Sequence, residues 1–337
     1  MSKRYSIIVI VVGILLVFGI GYFVGFYVQQ DIFSKKISEI RPLRYNDSKY
    51  SFIDPLLLYI VPSADQQWGL GEMKNQVLQV INSEEKNGDL SDASVIFQDL
   101  NLGRWIGVNQ NDQYNPASML KVIIMVSYFK EAEQNPSILS ENLLYTSSID
   151  ATVNQDAFND HSALVVNQKY SVQDLIEKMI IDSDNGAASL LLAHISATSL
   201  NSVYNALDIP SPDDTTGTFT ISPRYYSFFF RILYSATYLT DVYSEKALGI
   251  LSQATFKDGL VAGVPQHIPV AHKYGEYIVH QNDQVNQIEL HDCGIVYYPK
   301  NPYLLCVMTR GSNLDTLKNT IKNISWAVYQ SYSALKP

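Results

Sequence analysis

Apolar positions follow three regimes along the chain. From Ile7 to Val28 they are continuous, "IIVIVVGILLVFGIGYFVGFYV", a run of 22 residues without a charge. At ~1.5 Å per residue that suffices to cross roughly 30 Å of hydrocarbon. The run predicts one transmembrane helix at 7–28, with residues 1–6 as a cytoplasmic tip and 29–49 as a stalk. No A-x-A-like cleavage site follows it, so it reads as an uncleaved anchor rather than a signal peptide. Lys3 and Arg4 on one side face Lys35, Lys36, Arg41 and Arg44 on the other, and the charge count does not decide orientation. Gly21 and Gly25 form a G-x-x-x-G, which in a membrane span reads most simply as ordinary small residues.

Beyond the stalk the spacing becomes helical, then strand-like, then helical again. "GEMKNQVLQVINSEEKNG" has helical spacing and stops at Gly88, and "ASVIFQDLNLGRWIGVN" reads as two strands around a turn at Asn101 to Gly103. Asn115 as cap with Pro116 in first position predicts a helix to about Glu133. "YSVQDLIEKMIID" opens with Ser171 and Asp174 in capping-box spacing. "NGAASLLLAHI", "SLNSVYNAL" and "SPRYYSFFFRILYSATYL" add helices. After about residue 265 come three strand-like runs, and "LDTLKNTIKNISWAVYQSY" closes the chain as a helix. This order implies an α+β domain over 50–337: an antiparallel sheet flanked by the terminal helices, interrupted by a helical subdomain at about 115–240. No internal repeat is present.

Composition narrows the function classes. With 337 residues, 47% hydrophobic and 17% charged, the chain buries a full core. A net charge of -9 and the lack of a basic run exclude a general nucleic-acid binder. Two cysteines, Cys293 and Cys306, stand in neighbouring strand-like runs joined by the turn "PKNP", in a diagonal relation; a disulfide and two buried thiols both fit that arrangement. Of the six histidines, His267 and His272 stand close together, but without a Cys or acid cluster they predict no metal site. No cofactor motif is found, and no G-x-S-x-G elbow. The 23 tyrosines, prominent in "RYYSFFF", read as packing with hydroxyls at the surface.

One stretch carries chemistry. In "YNPASMLKVIIMVSYF", Ser118 and Lys121 are three apart and share a face in the first helical turn. The helix beyond is apolar nearly all round, so Lys121 is held partly desolvated at the positive end of a dipole, and both effects favour a neutral amine able to act as a base toward serine. Alone, such a pair also describes a helix start with a snorkelling lysine. Two further features decide: Ser183, Asp184 and Asn185 in "IIDSDNGAASLLL", and Lys273, Tyr274 and Gly275 in "VAHKYGEYI".

The ordered triple S-x-x-K, S-D-N, K-x-G resembles the penicillin-recognising serine hydrolases, the class A β-lactamases and D-alanyl-D-alanine peptidases. The resemblance spans about residues 50–337. It implies Ser118 as the acylated nucleophile, Lys121 as its base and Ser183 as proton relay to the leaving nitrogen. Asn185 would bind the substrate amide, Lys273 would supply a positive field for its carboxylate, and Gly275 would let substrate lie against the strand. The backbone N–H groups of Ser118 and Glu276 would form the oxyanion hole. Substrates would be β-lactams or peptidoglycan stem peptides, with no metal or cofactor, in an extracytoplasmic domain; the runner-up functions are another ester or amide hydrolase and a weakly catalytic cell-wall sensor. Two departures stand out. Tyr274 replaces the threonine of K-T-G. "LDIPSPDDTTGTFTISPRYY" holds no glutamate to activate a deacylating water, with Asp213 and Asp214 its nearest acids, so slow release of the acyl group is expected.

Overall fold

The computed structural model describes residues 13, 18–28, 43–44, 49–58, 69–146, 149, 164–212, 219–281 and 284–335. Of the expected membrane span, residues 7–12 and 14–17 lie outside these. Residues 18–28 are helical and exposed, and among the described residues no helix is long and apolar enough to cross a membrane.

Strands β1 (Leu43–Arg44) and β2 (Leu56–Leu58) pair as a small ribbon. Helix α1 (Gly71–Asn87) follows and ends at Gly88, whose φ of 88° gives the left-handed stop that glycine tolerates. Strands β3 (Leu90–Asp99) and β4 (Trp105–Val108) form the expected hairpin. Next come α2 (Lys121–Ala132), the strand pair β5 (Asn142–Leu144) and β6 (Lys169–Ser171), and helices α3 (Val172–Ile181), α4 (Asn185–His194), α5 (Ala197–Ala206), α6 (Pro223–Tyr234) and α7 (Asp241–Leu251). Ser171 caps α3 as expected, its Oγ accepting from Asp174 N at 3.1 Å. The chain closes with β7 (Val270–Gln281), β8 (Gln284–Val296), β9 (Tyr303–Gly311) and α8 (Leu314–Leu335).

The main sheet runs β4-β3-β9-β8-β7, antiparallel throughout, which leaves β7 as an edge. Its central strands are apolar on both faces because both are covered. In β3 and β9, Val95, Phe97, Tyr303, Leu305 and Val307 pack toward α1 and α8, whereas Ile96, Leu304, Cys306 and Met308 pack toward the helical layer. Alternation thus sorts successive side chains into two cores. α2 is the axis of the helical core: Val122 through Phe129 are all buried. Each aliphatic or phenylalanine side chain among them contributes about 1.5–3 kcal/mol on leaving water, before the entropy of ordering it.

The cysteines correct the expected diagonal. Cys293 and Cys306 stand directly opposite each other on β8 and β9 and form a disulfide.

Candidate active site

The serine turn differs from the expected helix start. Asn115 does not cap α2; its Oδ1 accepts from Ala117 N at 2.9 Å, a short local turn. Ala117 has a φ of 47°, a left-handed conformation that a residue with a Cβ adopts at some strain. Ser118 then lies in a single 3-10 turn, Ala117–Leu120, and Lys121 is the first residue of α2. The two still stand three apart at the helix entrance, but serine projects from the tighter turn that precedes it. Tyr226 Oη, on α6, donates to Met119 O at 2.9 Å and ties this turn to the helical layer. On the other side β7 lies against it: a Cβ at Gly275 would meet Pro116 O at 2.5 Å and Met119 Cγ at 3.0 Å. Only glycine permits that approach.

Two motif lysines converge on Ser183. Lys121 Nζ lies 2.5 Å from Ser183 O, 3.1 Å from Ser183 Oγ and 2.5 Å from Asn185 Oδ1. Lys273 Nζ, arriving from β7, donates to the same Ser183 Oγ at 2.8 Å and to Tyr274 O at 3.1 Å. Ser118, Lys121, Ser183 and Lys273 are all buried. Ser183 has a φ of 58°, and Asp184 caps α4 by accepting from Ala187 N at 2.8 Å. Tyr274 is also buried, stacked on Phe256 with ring centroids 4.3 Å apart, and the Lys273 ammonium lies 4.2 Å from its ring centroid. Glu276 continues β7 as a buried residue paired with Leu290. Because β7 is an edge, its alternate backbone N–H groups face away from the sheet. Asp213 and Asp214 lie outside the described residues.

A supporting network escaped the motif search. Glu289 Oε2 accepts Asn115 N at 2.8 Å while its Oε1 accepts Arg310 Nε at 2.8 Å. His291 Nε2 donates to Asn115 O at 3.0 Å, so Glu289 and His291 grip both backbone groups of the residue that starts the serine turn. Arg310 lies over the Tyr114 ring at 4.7 Å, and Tyr114 Oη bonds Ser94 Oγ at 2.9 Å. Burial pushes the Glu289 carboxyl up, but hydrogen bonds with His291 and Arg310, and the Asn115 N–H, outweigh it and hold the group below its ordinary value. The available signal was "QIELHDC", with charged groups two apart in an apolar strand, a pattern that is rarely buried without partners. His272 packs into the sheet beside an aspartate. It lies on the sheet face turned away from Lys273, 2.7 Å from Asp292 Oδ1, whose Oδ2 accepts Leu260 N at 2.8 Å.

A serine turn wedged between a helical layer and a sheet edge, with two lysines meeting at a second serine, defines a serine hydrolase of the β-lactamase/transpeptidase-like fold. The chain belongs to the beta-lactamase enzyme family, whose model matches residues 72–332. Among solved structures, a PBP-A mutant held as its acyl-enzyme with penicillin G is 23% identical, with 77% of this chain and 97% of that one covered and a TM-score of 0.64. A beta lactamase from Xanthomonas campestris pv. campestris is 18% identical, covering 77% and 99% at a TM-score of 0.65. A class A beta-lactamase from Mycobacterium abscessus is 18% identical, covering 76% and 99%, also at 0.65. At these identities the structures speak for the fold. No curated protein matches the chain.

Proposed function

We propose that the protein is an acyl-serine hydrolase acylated at Ser118 by β-lactams or by D-Ala-D-Ala-type peptides. The observation that carries this reading is the convergence of Lys121 Nζ and Lys273 Nζ on Ser183 Oγ, at 3.1 and 2.8 Å, beside the serine turn. Two ammonium charges on one hydroxyl repel each other, which favours loss of a proton from one of them. Lys121 in its neutral form keeps two N–H groups, which Ser183 O and Asn185 Oδ1 accept. Its lone pair is then the base for a serine proton.

In the first step Ser118 Oγ bonds to the substrate carbonyl carbon as its proton passes to Lys121. The tetrahedral oxygen is stabilised by the backbone N–H groups of Ser118 and Glu276. Collapse breaks the carbon–nitrogen bond, and the proton reaches the leaving nitrogen through Ser183 Oγ. Asn185, Lys273, Tyr274 and Gly275 line the substrate's path along β7. Hydrolysis of the ester then restores Ser118. With no glutamate between residues 207 and 226, this second step is the slow one. The penicillin acyl-enzyme known for the PBP-A mutant lends support to the acylation step. We place the domain outside the cytoplasm on a single N-terminal span, where such substrates occur; the uncharged run from Ile7 to Val28 supports that placement.

Labelling the full-length chain with a fluorescent penicillin tests the reading. The label should attach to the wild type, not to Ser118→Ala, and persist after excess free probe is removed. A label that survives Ser118→Ala refutes the assignment, and rapid multiple turnover of a chromogenic cephalosporin refutes slow deacylation.

A further inference from the structure

Helix α6 has a second face, away from the serine turn. Tyr226, Phe229, Phe230 and Leu233 are buried in the helical core. Arg224, Phe228 and Arg231 stand at i, i+4 and i+7 and so share another stripe of the helix. Opposite that stripe lie β3 and the edge strand β4. Ile96 packs toward the helical layer, Gln98 shares its face two residues on, and Trp105 is paired directly with Gln98 across the hairpin. Between helix and hairpin is a cavity of about 150 Å³ that these residues line. It is separate from the hydrolase site, because β4 and β7 are opposite edges of the five-stranded sheet, four strand spacings of ~4.8 Å apart.

The lining has the chemistry of an anion site with flat walls. None of the described residues around the cavity is acidic, and Arg224, which is exposed, forms no ion pair with another described residue. The guanidinium carbon of Arg231 lies 5.3 Å from the Phe228 ring centroid, a cation–π contact that helps to order the side chain. A guanidinium presents its N–H groups as a fork that matches two oxygens of a carboxylate or phosphate. Trp105 and Phe228 add aromatic surface beside those charges. A cavity of roughly this volume holds one six-membered ring. With a net charge of -9 the chain as a whole repels anions, so attraction is confined to local clusters of positive charge such as this one.

We infer that the cavity between α6 and the β3–β4 hairpin binds a small ligand that carries an oxyanion, carboxylate or phosphate, on a planar ring. The oxyanion meets Arg224 and Arg231, and the ring lies against Trp105 and Phe228. The inference is independent of the acyl-serine reading.

The full-length chain labelled with 5-fluorotryptophan tests it. Trp105 is one of three tryptophans, and Trp105→Phe identifies its fluorine signal. That signal should shift saturably with phenyl phosphate, at a half-saturation at least about tenfold below that for inorganic phosphate or for phenol, since each of these keeps one part of the contacts. Arg224→Gln, a change at an exposed position, should weaken phenyl phosphate at least about fivefold by removing one fork. Absence of a saturable shift overturns the inference. Inorganic phosphate or phenol binding as tightly as phenyl phosphate also overturns it, since anion and ring would then not be read together; this comparison needs only the wild type and stands even should the variant fail to fold. A folded Arg224→Gln chain that binds phenyl phosphate as the wild type does removes the arginine from the site and the inference with it.

Discussion

Glu289→Gln isolates the network beneath the serine turn. Glu289 accepts the Asn115 N–H on one oxygen and Arg310 Nε on the other, each at 2.8 Å. Glutamine retains one acceptor and turns an NH₂ group toward one of those donors, so one bond is lost and a donor faces a donor. A hydrogen bond to a charged group contributes about 1.5–3 kcal/mol, and an unsatisfied buried donor costs about 1–3 kcal/mol. These overlap, so we expect a loss of about 2–4 kcal/mol. For a chain of this size each 1 kcal/mol lowers Tm by roughly 1–2 °C. Because the lost bond positions Asn115, three residues before Ser118, acylation should slow as well; about 1.4 kcal/mol of misplacement corresponds to a tenfold rate loss.

The pH dependence gives the sign independently. The Glu289 carboxyl is held below its ordinary value of 4.5, so its ionised form favours the folded state. Its stabilising contribution is complete above that ordinary value and is lost as pH falls through the lower value of the folded protein. Wild type and Glu289→Gln should therefore differ in Tm near pH 7 and converge in acid. Thermal melts across that range, with penicillin labelling rates near pH 7, check both parts. Equal Tm and equal labelling near neutrality, or a Tm gap that persists undiminished in strong acid, would refute the reasoning.

Three other perturbations probe the surrounding frame. Gly275→Ala places a methyl group 2.5 Å from Pro116 O and should cut acylation at least tenfold with a native circular dichroism spectrum; unchanged acylation would show that β7 and the serine turn separate freely. Tyr226→Phe removes the bond to Met119 O and should cost about 1 kcal/mol in urea unfolding. Cys293→Ser with Cys306→Ser opens a link between residues 13 apart and should lower stability by up to about 3 kcal/mol; a wild-type midpoint unaffected by reductant would contradict this.

Where the sequence was legible, local rules and the final structure agree. Gly88 ends α1 because a left-handed residue was needed there, and Ser171 caps α3 through its own hydroxyl. The period of two in β3 and β9 marks strands covered on both sides, and the order of S-x-x-K, S-D-N and K-x-G locates the elements that meet. What could not be read depends on distance in space. Asn115 turns from the expected cap into a local bridge because Glu289 and His291, about 175 residues later, hold its backbone N–H and C=O. Register sets the cysteines opposite rather than diagonal, and register follows from the whole sheet. The stacking of Tyr274 on Phe256 joins a strand to a loop that share no local pattern.

Ser183, Asp184 and Asn185 show how backbone conformation divides labour among three adjacent residues. With φ at 58°, Ser183 takes the left-handed turn between α3 and α4, so its carbonyl and its hydroxyl both face Lys121 instead of continuing either helix. Asp184, extended at φ -60° and ψ 121°, spends its carboxylate on the Ala187 N–H as the cap of α4. Asn185 opens that helix and returns its Oδ1 to Lys121. The aspartate is thus a structural member of the motif: it fixes the start of α4, and with it the angle at which Asn185 reaches back. Asp184→Asn should keep the cap and the label, since asparagine caps about as well, whereas Asp184→Ala should cost about 1 kcal/mol and slow labelling through Asn185. Equal labelling by all three proteins would show that Ser183 and Asn185 are held without the cap.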